Sequence, residues 1–256
     1  MNQAHQGNRA CWNGWAPWWR ERRDKVGVWS RCPSEPDLVL SPGELRALGD
    51  VRGRRVAILA SGDNEVAFAL AGMGARVTSV DISEGQLAVA AERAEQLGLE
   101  IAFQRADITD CAMLADSSFD LIHTGGGVAV WMSDLDATMR EAARLLKPAG
   151  TLLVNDFHPF AHLQSDETPW PIEDYFQRGP FTYTSNEGFP GSEYHWTVAD
   201  RLQAVLKAGL TITWVEEHDG TFSDLEAERV LDEIDTDTAP KLHVPRYLLI
   251  VAKKRA

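Results

Sequence analysis

The chain has 256 residues, 44% of them hydrophobic, and carries 38 Asp and Glu against 25 Lys and Arg for a formal net charge of -13. That length and apolar content bury a core for one domain or a domain with an embellishment, while the charge repels a phosphate backbone and leaves one basic cluster at 253–255, which argues against nucleic acid as a partner. No apolar run reaches membrane-helix length, the start MNQAHQGNRA lacks a signal-peptide pattern, and Cys11, Cys32 and Cys111 form no CxxC pair, which suits a reducing cytoplasm and leaves a Cys11–Cys32 bridge as an open option.

Residues 1–53 read as an N-terminal helical cap. In WNGWAPWW, Trp12, Trp15, Ala16 and Trp19 share a helical face that Pro17 interrupts, so two short helices over the sheet edge are expected. From residue 54 to 157, apolar runs of strand length alternate with amphipathic stretches. This rhythm predicts a parallel sheet with helices on both faces, with strands at 55–60, 76–81, 101–104, 121–124 and 151–156.

Between them, helical stripes run through Val66, Leu70 and Met73, through Leu87, Ala91, Ala94 and Leu97, and through Leu135, Met139, Ala142 and Leu146. Ser83 and Ser133 serve as starts, Gly98 and Gly150 as stops, and Asp134 and Asp136 as helix-start charges. The Pro- and aromatic-rich stretch at 160–195 is too long for a connection and reads as a substrate-side insertion. A helix through Val198, Leu202, Val205 and Leu206 ends at Gly209, and strands follow at 211–215 and 247–252, with an acidic helix and loop at 222–237 between them.

Chemistry concentrates where the first strand ends. In an open parallel sheet a ligand sits beyond the carboxyl ends of the strands, and Gly62 in the loop 60–65 lets backbone approach it closely. Asp81 ends the next strand 19 positions after Gly62, the spacing at which a carboxylate accepts hydrogen bonds from ribose hydroxyls. The loop is not GxGxxG and offers few donors or cations for a diphosphate, so a phosphate-free nucleoside cofactor fits better than a dinucleotide, with S-adenosylmethionine the first choice.

With those residues in place, the segment 56–157 resembles a class I S-adenosylmethionine-dependent methyltransferase, as do the late helix and strand at 196–220. The resemblance implies a Rossmann-like, parallel-rich seven-stranded sheet, and a domain at 54–256 carrying the insertion. Its first motif falls on Ala60, Ser61, Gly62, Asp63 and Asn64, keeping only the middle glycine, with Ile58 where the family has an acid. It implies ribose binding by Asp81, adenine stacking on Ile82, and adenine contacts from Asp107 and Ile108. In HTGGGVAVW, Thr124, Gly125 and Gly126 would face the methionine part of the cofactor, and LLKPAGTLLV resembles the family's passage into its fifth strand.

Methyl transfer from a sulfonium needs neither a metal nor a covalent nucleophile, and no closed metal-ligand set stands at a familiar spacing. His158, directly after the fifth strand, is the expected general base, with a structural histidine before Pro159 as the alternative; His195, Glu217 and His218 rank behind it. Trp19 is expected over the cofactor, and Trp131, Tyr175, Phe176, His195 and Trp196 over the acceptor, within an aromatic cover that also draws on Trp12, Trp18, Trp170, Phe181 and Tyr183.

The expected activity is methylation of a small molecule, favouring an aromatic or heteroaromatic metabolite at nitrogen or carbon, with oxygen a further option. A nicotinamide-dependent oxidoreductase and a catalytically inactive cofactor-binding protein are the alternatives. The expected partner is a small molecule, without nucleic acid or membrane, in a cytoplasmic protein for which a homodimer stays open.

Overall fold

A computed structural model describes residues 1–160, 174–219 and 244–256. The expected helix and loop at 222–237, and the part of the insertion that contains Trp170, lie outside the described residues.

Five strands, β1 (Arg55–Leu59), β2 (Arg76–Asp81), β3 (Ile101–Arg105), β4 (Phe119–Gly125) and β5 (Leu146–Phe157), pair in parallel. A short hairpin, β6 (Phe181–Thr184) and β7 (Pro190–Glu193), stands apart, and β8 (Leu210–His218) and β9 (Tyr247–Lys254) complete the main sheet antiparallel to their neighbours. The order is β3-β2-β1-β4-β5-β9-β8. The chain therefore winds one way from β1 to β3 and the other way from β4, which places the switch point, where such sheets bind ligands, between β1 and β4.

Alternation along β1 shows how both faces are covered. Val56 and Ile58 join Phe68 and Leu70 of α3 (Glu65–Gly72) and Ala90 and Ala94 of α4 (Glu84–Leu97). Ala57 and Leu59 join Met139 and Ala142 of α5 (Leu135–Leu145) and Ala204 and Val205 of α6 (Val198–Lys207) on the other face. A strand buried on both faces must be apolar at every position, which is why these strands read as runs in the sequence.

The helix after β4 starts one residue later than expected: Asp134, not Ser133, is its cap, accepting from the Ala137 N–H at 2.8 Å. It ends at Leu145 rather than Gly150, because β5 begins directly at Leu146. The cysteines Cys11, Cys32 and Cys111 are buried free thiols. Among the described residues no helix is long and apolar enough to cross a membrane.

The N-terminal cap departs further from expectation. One helix, α1 (Gln3–Val26), runs through Pro17, capped by Asn2 and closed by Gly27 in the left-handed region. A proline inside a helix costs about 3 kcal/mol, and the packing of α1 offsets that cost. Asn8 grips β7 by donating to the Ser192 carbonyl at 2.9 Å and accepting from its N–H at 2.8 Å. On α4, Asn13 accepts from the Ser83 hydroxyl at 2.7 Å and the Gly85 N–H at 3.0 Å. A shorter helix, α2 (Pro42–Leu48), opens with a capping box in which Glu44 and Ser41 exchange hydrogen bonds.

The loop after β1 keeps a glycine-type path with only one glycine. Ala60, Gly62 and Asn64 all have positive φ, at 52°, 50° and 67°. Asn tolerates this region, and Asn64 is further held by accepting from the Ser79 hydroxyl at 2.5 Å and donating to the Gly62 carbonyl at 2.7 Å. Ala60 has no such compensation. We expect Ala60→Gly to raise stability by about 0.5–1 kcal/mol in urea unfolding, where an ordinary Ala→Gly change lowers it by a similar amount; a loss of that size would contradict the strain.

Candidate active site

A cavity of about 510 Å³ opens at the carboxyl ends of β1 and β4. One wall is backbone: Ala60, Ser61 and Gly62 after β1, and Gly125, Gly126 and Gly127 after β4. The opposite wall is aromatic, with Trp12 and Trp19 of α1 and Trp131 of a short turn, Ala129–Trp131. Trp12 stacks on Trp19 at 6.1 Å and meets Trp131 edge-on at 5.4 Å.

The loop after β4 is held from below by one carboxylate. Asp156 Oδ1 accepts from the N–H groups of Gly127, Val128 and Phe157 at 2.5, 3.0 and 2.9 Å, and Oδ2 accepts from Ala129 at 2.8 Å. Buried Arg201 sits 3.6 Å behind Oδ2 and donates to the Phe157 carbonyl at 2.6 Å. Gly125 cannot be replaced here, because an added Cβ would lie 1.8 Å from the Asn155 carbonyl oxygen.

Among the described residues, acids dominate the charge of the lining: Glu44, Asp63, Glu65 and Glu193 stand with one Lys or Arg, Arg23, which is paired with Asp63 at 2.6 Å. Burial pushes the Glu193 carboxyl above the ordinary carboxylate range. Two buried side-chain atoms of the lining, Gln86 Nε2 and His123 Nδ1, have no hydrogen-bond partner among the described residues. The excess of acids disfavours a diphosphate, the donor left unmet at Gln86 suits a polar ligand, and the glycine loops give that ligand backbone to lie against. The residues present thus fit a nucleoside-bearing sulfonium better than a diphosphate.

Of the residues singled out from the sequence, Ala60, Ser61, Gly62, Gly125, Gly126, Trp19 and Trp131 line this cavity. Asp81 lies beneath the loop, its oxygens accepting from the Gly62 and Ser83 N–H groups at 2.8 Å each. Burial pushes its carboxyl up, against the pull of those donors. Asn64 and Thr124 are buried in local bonds, Thr124 donating to the Leu59 carbonyl at 2.9 Å. Ile82 is half-buried outside the lining, and Ile108 is in the core beneath α5.

Asp107 is engaged from within the chain. His5 Nδ1 of α1 meets its Oδ2 at 2.7 Å, and Oδ1 accepts from the Thr109 N–H and hydroxyl at 3.0 and 2.8 Å. Burial works against the charge, but His5 and the Thr109 donors outweigh it and hold the carboxyl at about 2.

Of the residues expected over the acceptor, Trp131 lines the cavity, and Tyr175, Phe176, His195 and Trp196 are not in its lining. Phe176 is 70% exposed, Tyr175 accepts from the Val198 N–H, His195 stacks on Phe181, and Trp196 donates to the Met132 carbonyl. Trp12 and Trp19 of α1, also expected in the aromatic cover, do line it, while Trp18 is exposed. His158 is buried outside the lining, with Nε2 3.0 Å from Glu217 and Nδ1 accepting from the Phe160 N–H at 3.2 Å, so both nitrogens are engaged. Sequence reasoning missed Glu44, Gln86, His123 and Asn155; a histidine inside the apolar run FDLIHTGG was the signal for one of them.

A family model described as a methyltransferase domain matches residues 53–198. The chain is 34% identical over 112 residues to a demethylmenaquinone methyltransferase of Clavibacter sepedonicus, covering 44% of each. It is 29% identical over 136 residues to a ubiquinone biosynthesis O-methyltransferase of Alkalilimnicola ehrlichii, covering 53% of each. The matches thus span about half the length of these relatives. A crystal structure of an S-adenosylmethionine-dependent methyltransferase from Mesorhizobium loti superposes with a TM-score of 0.62 at 26% identity, covering 83% of this chain and 96% of that one.

Two outcomes follow from this geometry. Asp156→Asn places an amide N–H₂ against backbone donors and should cost about 2–4 kcal/mol in urea unfolding, whereas Asp136→Asn, which loses an exposed pair with Lys207, should stay within about 0.5 kcal/mol. Because the folded pKa of Asp107 is depressed, its contribution is present above about pH 4 and lost as pH falls through about 2. The stability gap between the native chain and Asp107→Asn should therefore shrink by about 2 kcal/mol between pH 4 and 2; a constant gap would contradict the depressed pKa.

Proposed function

The chain belongs to the methyltransferase domain family, of the class I S-adenosylmethionine-dependent type, and from that premise we propose that it transfers a methyl group from S-adenosylmethionine to a small-molecule acceptor, favouring an aromatic or heteroaromatic metabolite. The observation that carries this reading is the cavity at the β1/β4 switch point, walled by glycine backbone on one side and tryptophans on the other. Quinone-directed methylation by the two relatives supports an aromatic acceptor.

When bound, S-adenosylmethionine supplies an electrophilic methyl group on a positively charged sulfur. The residues of this chain that would hold it are Gly62 and Gly125–Gly127 through their backbone, with Gln86 and Asp81 at the β2 end. The excess of acids in the lining and the faces of Trp12, Trp19 and Trp131 favour a cation and disfavour a diphosphate, which speaks against a nicotinamide dinucleotide. Catalysis by such a chain rests on positioning: α1 supplies Trp12 and Trp19 to the lining, and the loop pinned by Asp156 fixes the surface on which the reacting groups meet.

Calorimetric titration with S-adenosylhomocysteine, using NADH as the control, tests the reading. Binding of the first alone at micromolar or tighter Kd, about 8 kcal/mol, is the expected result. Tight NADH binding without S-adenosylhomocysteine binding would overturn it, and cofactor binding without turnover on any phenol, quinol or heteroaromatic amine would favour a sensor over an enzyme.

A further inference from the structure

The end of the cavity away from Asp81 carries a further polar set. Glu44 of α2, His123 of β4 and Asn155 of β5 all line the cavity, and Tyr247 of β9 stands beside them. In the sheet order these strands lie on the opposite side of β1 from β2, which holds Asp81.

The hydrogen bonds fix the protons. Glu44 Oε2 accepts from the Ser41 N–H and from Asn155 Nδ2, each at 2.8 Å, and Oε1 lies 2.7 Å from His123 Nε2. Asn155 is held in that orientation by His218 Nε2, 2.8 Å from its Oδ1. A carboxylate only accepts, so Nε2 of His123 carries the hydrogen, and in the neutral ring Nδ1 keeps a lone pair. That nitrogen is buried, its ring lines the cavity, and nothing among the described residues donates to it. Burying an unmet acceptor is costly, so the arrangement is accounted for if a ligand N–H or O–H completes it.

Resting on the methyltransferase reading, we propose that His123 is a catalytic residue that accepts the proton of an O–H or N–H on the methyl acceptor, with Glu44 as its positioning residue. The heteroatom–hydrogen bond breaks, its electron pair stays on the heteroatom as the nucleophile, and the proton bonds to Nδ1. The resulting imidazolium keeps its Nε2–H on Glu44. This selects a phenol-like or amine-like acceptor atom over carbon, and it gives the role of base to His123 rather than His158, whose nitrogens are both engaged.

The test is nitrogen-15 NMR of the full chain labelled at histidine, with the His123 resonances identified by their loss in His123→Gln. The expected free protein has Nε2 protonated and Nδ1 bare. Saturation with S-adenosylhomocysteine should leave Nδ1 in place, and phenol added to that complex should move Nδ1 toward the hydrogen-bonded range. In Glu44→Gln, which keeps the capping geometry, the phenol response of the protein saturated with S-adenosylhomocysteine should weaken at least fivefold.

A protonated Nδ1 in the free protein, a shift caused by S-adenosylhomocysteine alone, or no phenol response in its complex would each overturn the proposal. Failure of S-adenosylhomocysteine to bind by calorimetry would remove the methyltransferase reading and this proposal with it. Binding without a phenol response overturns the proposal alone.

Discussion

One buried carboxylate sets the shape on which the site depends. Asp156 meets four backbone N–H groups with two oxygens, and three of those groups belong to the turn that leaves β4. Without it, three adjacent donors would be buried unmet, and the glycines they follow would have no reason to hold one path. Charge-assisted bonds of this kind are about twice as strong as neutral ones, and Arg201 balances the charge from behind. The surface offered by Gly125–Gly127 is therefore rigid because of a residue on the next strand, not because of its own sequence.

The second constraint is the long helix laid across the cavity. Its polar side chains are spent on fixing its place: His5 on Asp107, Asn8 on β7, Asn13 on the start of α4. That leaves its tryptophans to form the wall. A helix that carries an interior proline survives here because these contacts are made with separate parts of the molecule, so no single one must offset the whole cost. The same attachments engage Asp107 and hold Trp12 and Trp19 in the lining of the cavity.

Much of the sheet was legible in the sequence because burial on both faces forces unbroken apolar runs, and the observed strands overlap all seven expected ones. The spacing of Gly62 and Asp81 was legible because both sit on one strand-loop-helix-strand unit, and the Asp81–Gly62 hydrogen bond joins them. Contacts between distant segments left no such trace. His5 and Asp107 are 102 positions apart, and Glu44 and His123 are 79 apart, so periodicity says nothing of either pair. His158 stands at the right strand end, but adjacency in sequence does not tell that its ring turns to Glu217 and the Phe160 N–H. The aromatic cover was legible in part: Trp12, Trp19 and Trp131 line the cavity as expected, while Tyr175, Phe176, His195 and Trp196 are held by partners outside it.

The central claim is that the cavity between β1 and β4 is the cofactor site. A crystal structure of the chain with S-adenosylhomocysteine tests it most directly. The account predicts the sulfur between the Gly62 loop and Gly125–Gly127, the ribose toward Asp81, and open space beside His123. A ligand bound outside this cavity, or one whose amino-acid end occupies His123 Nδ1, would contradict it.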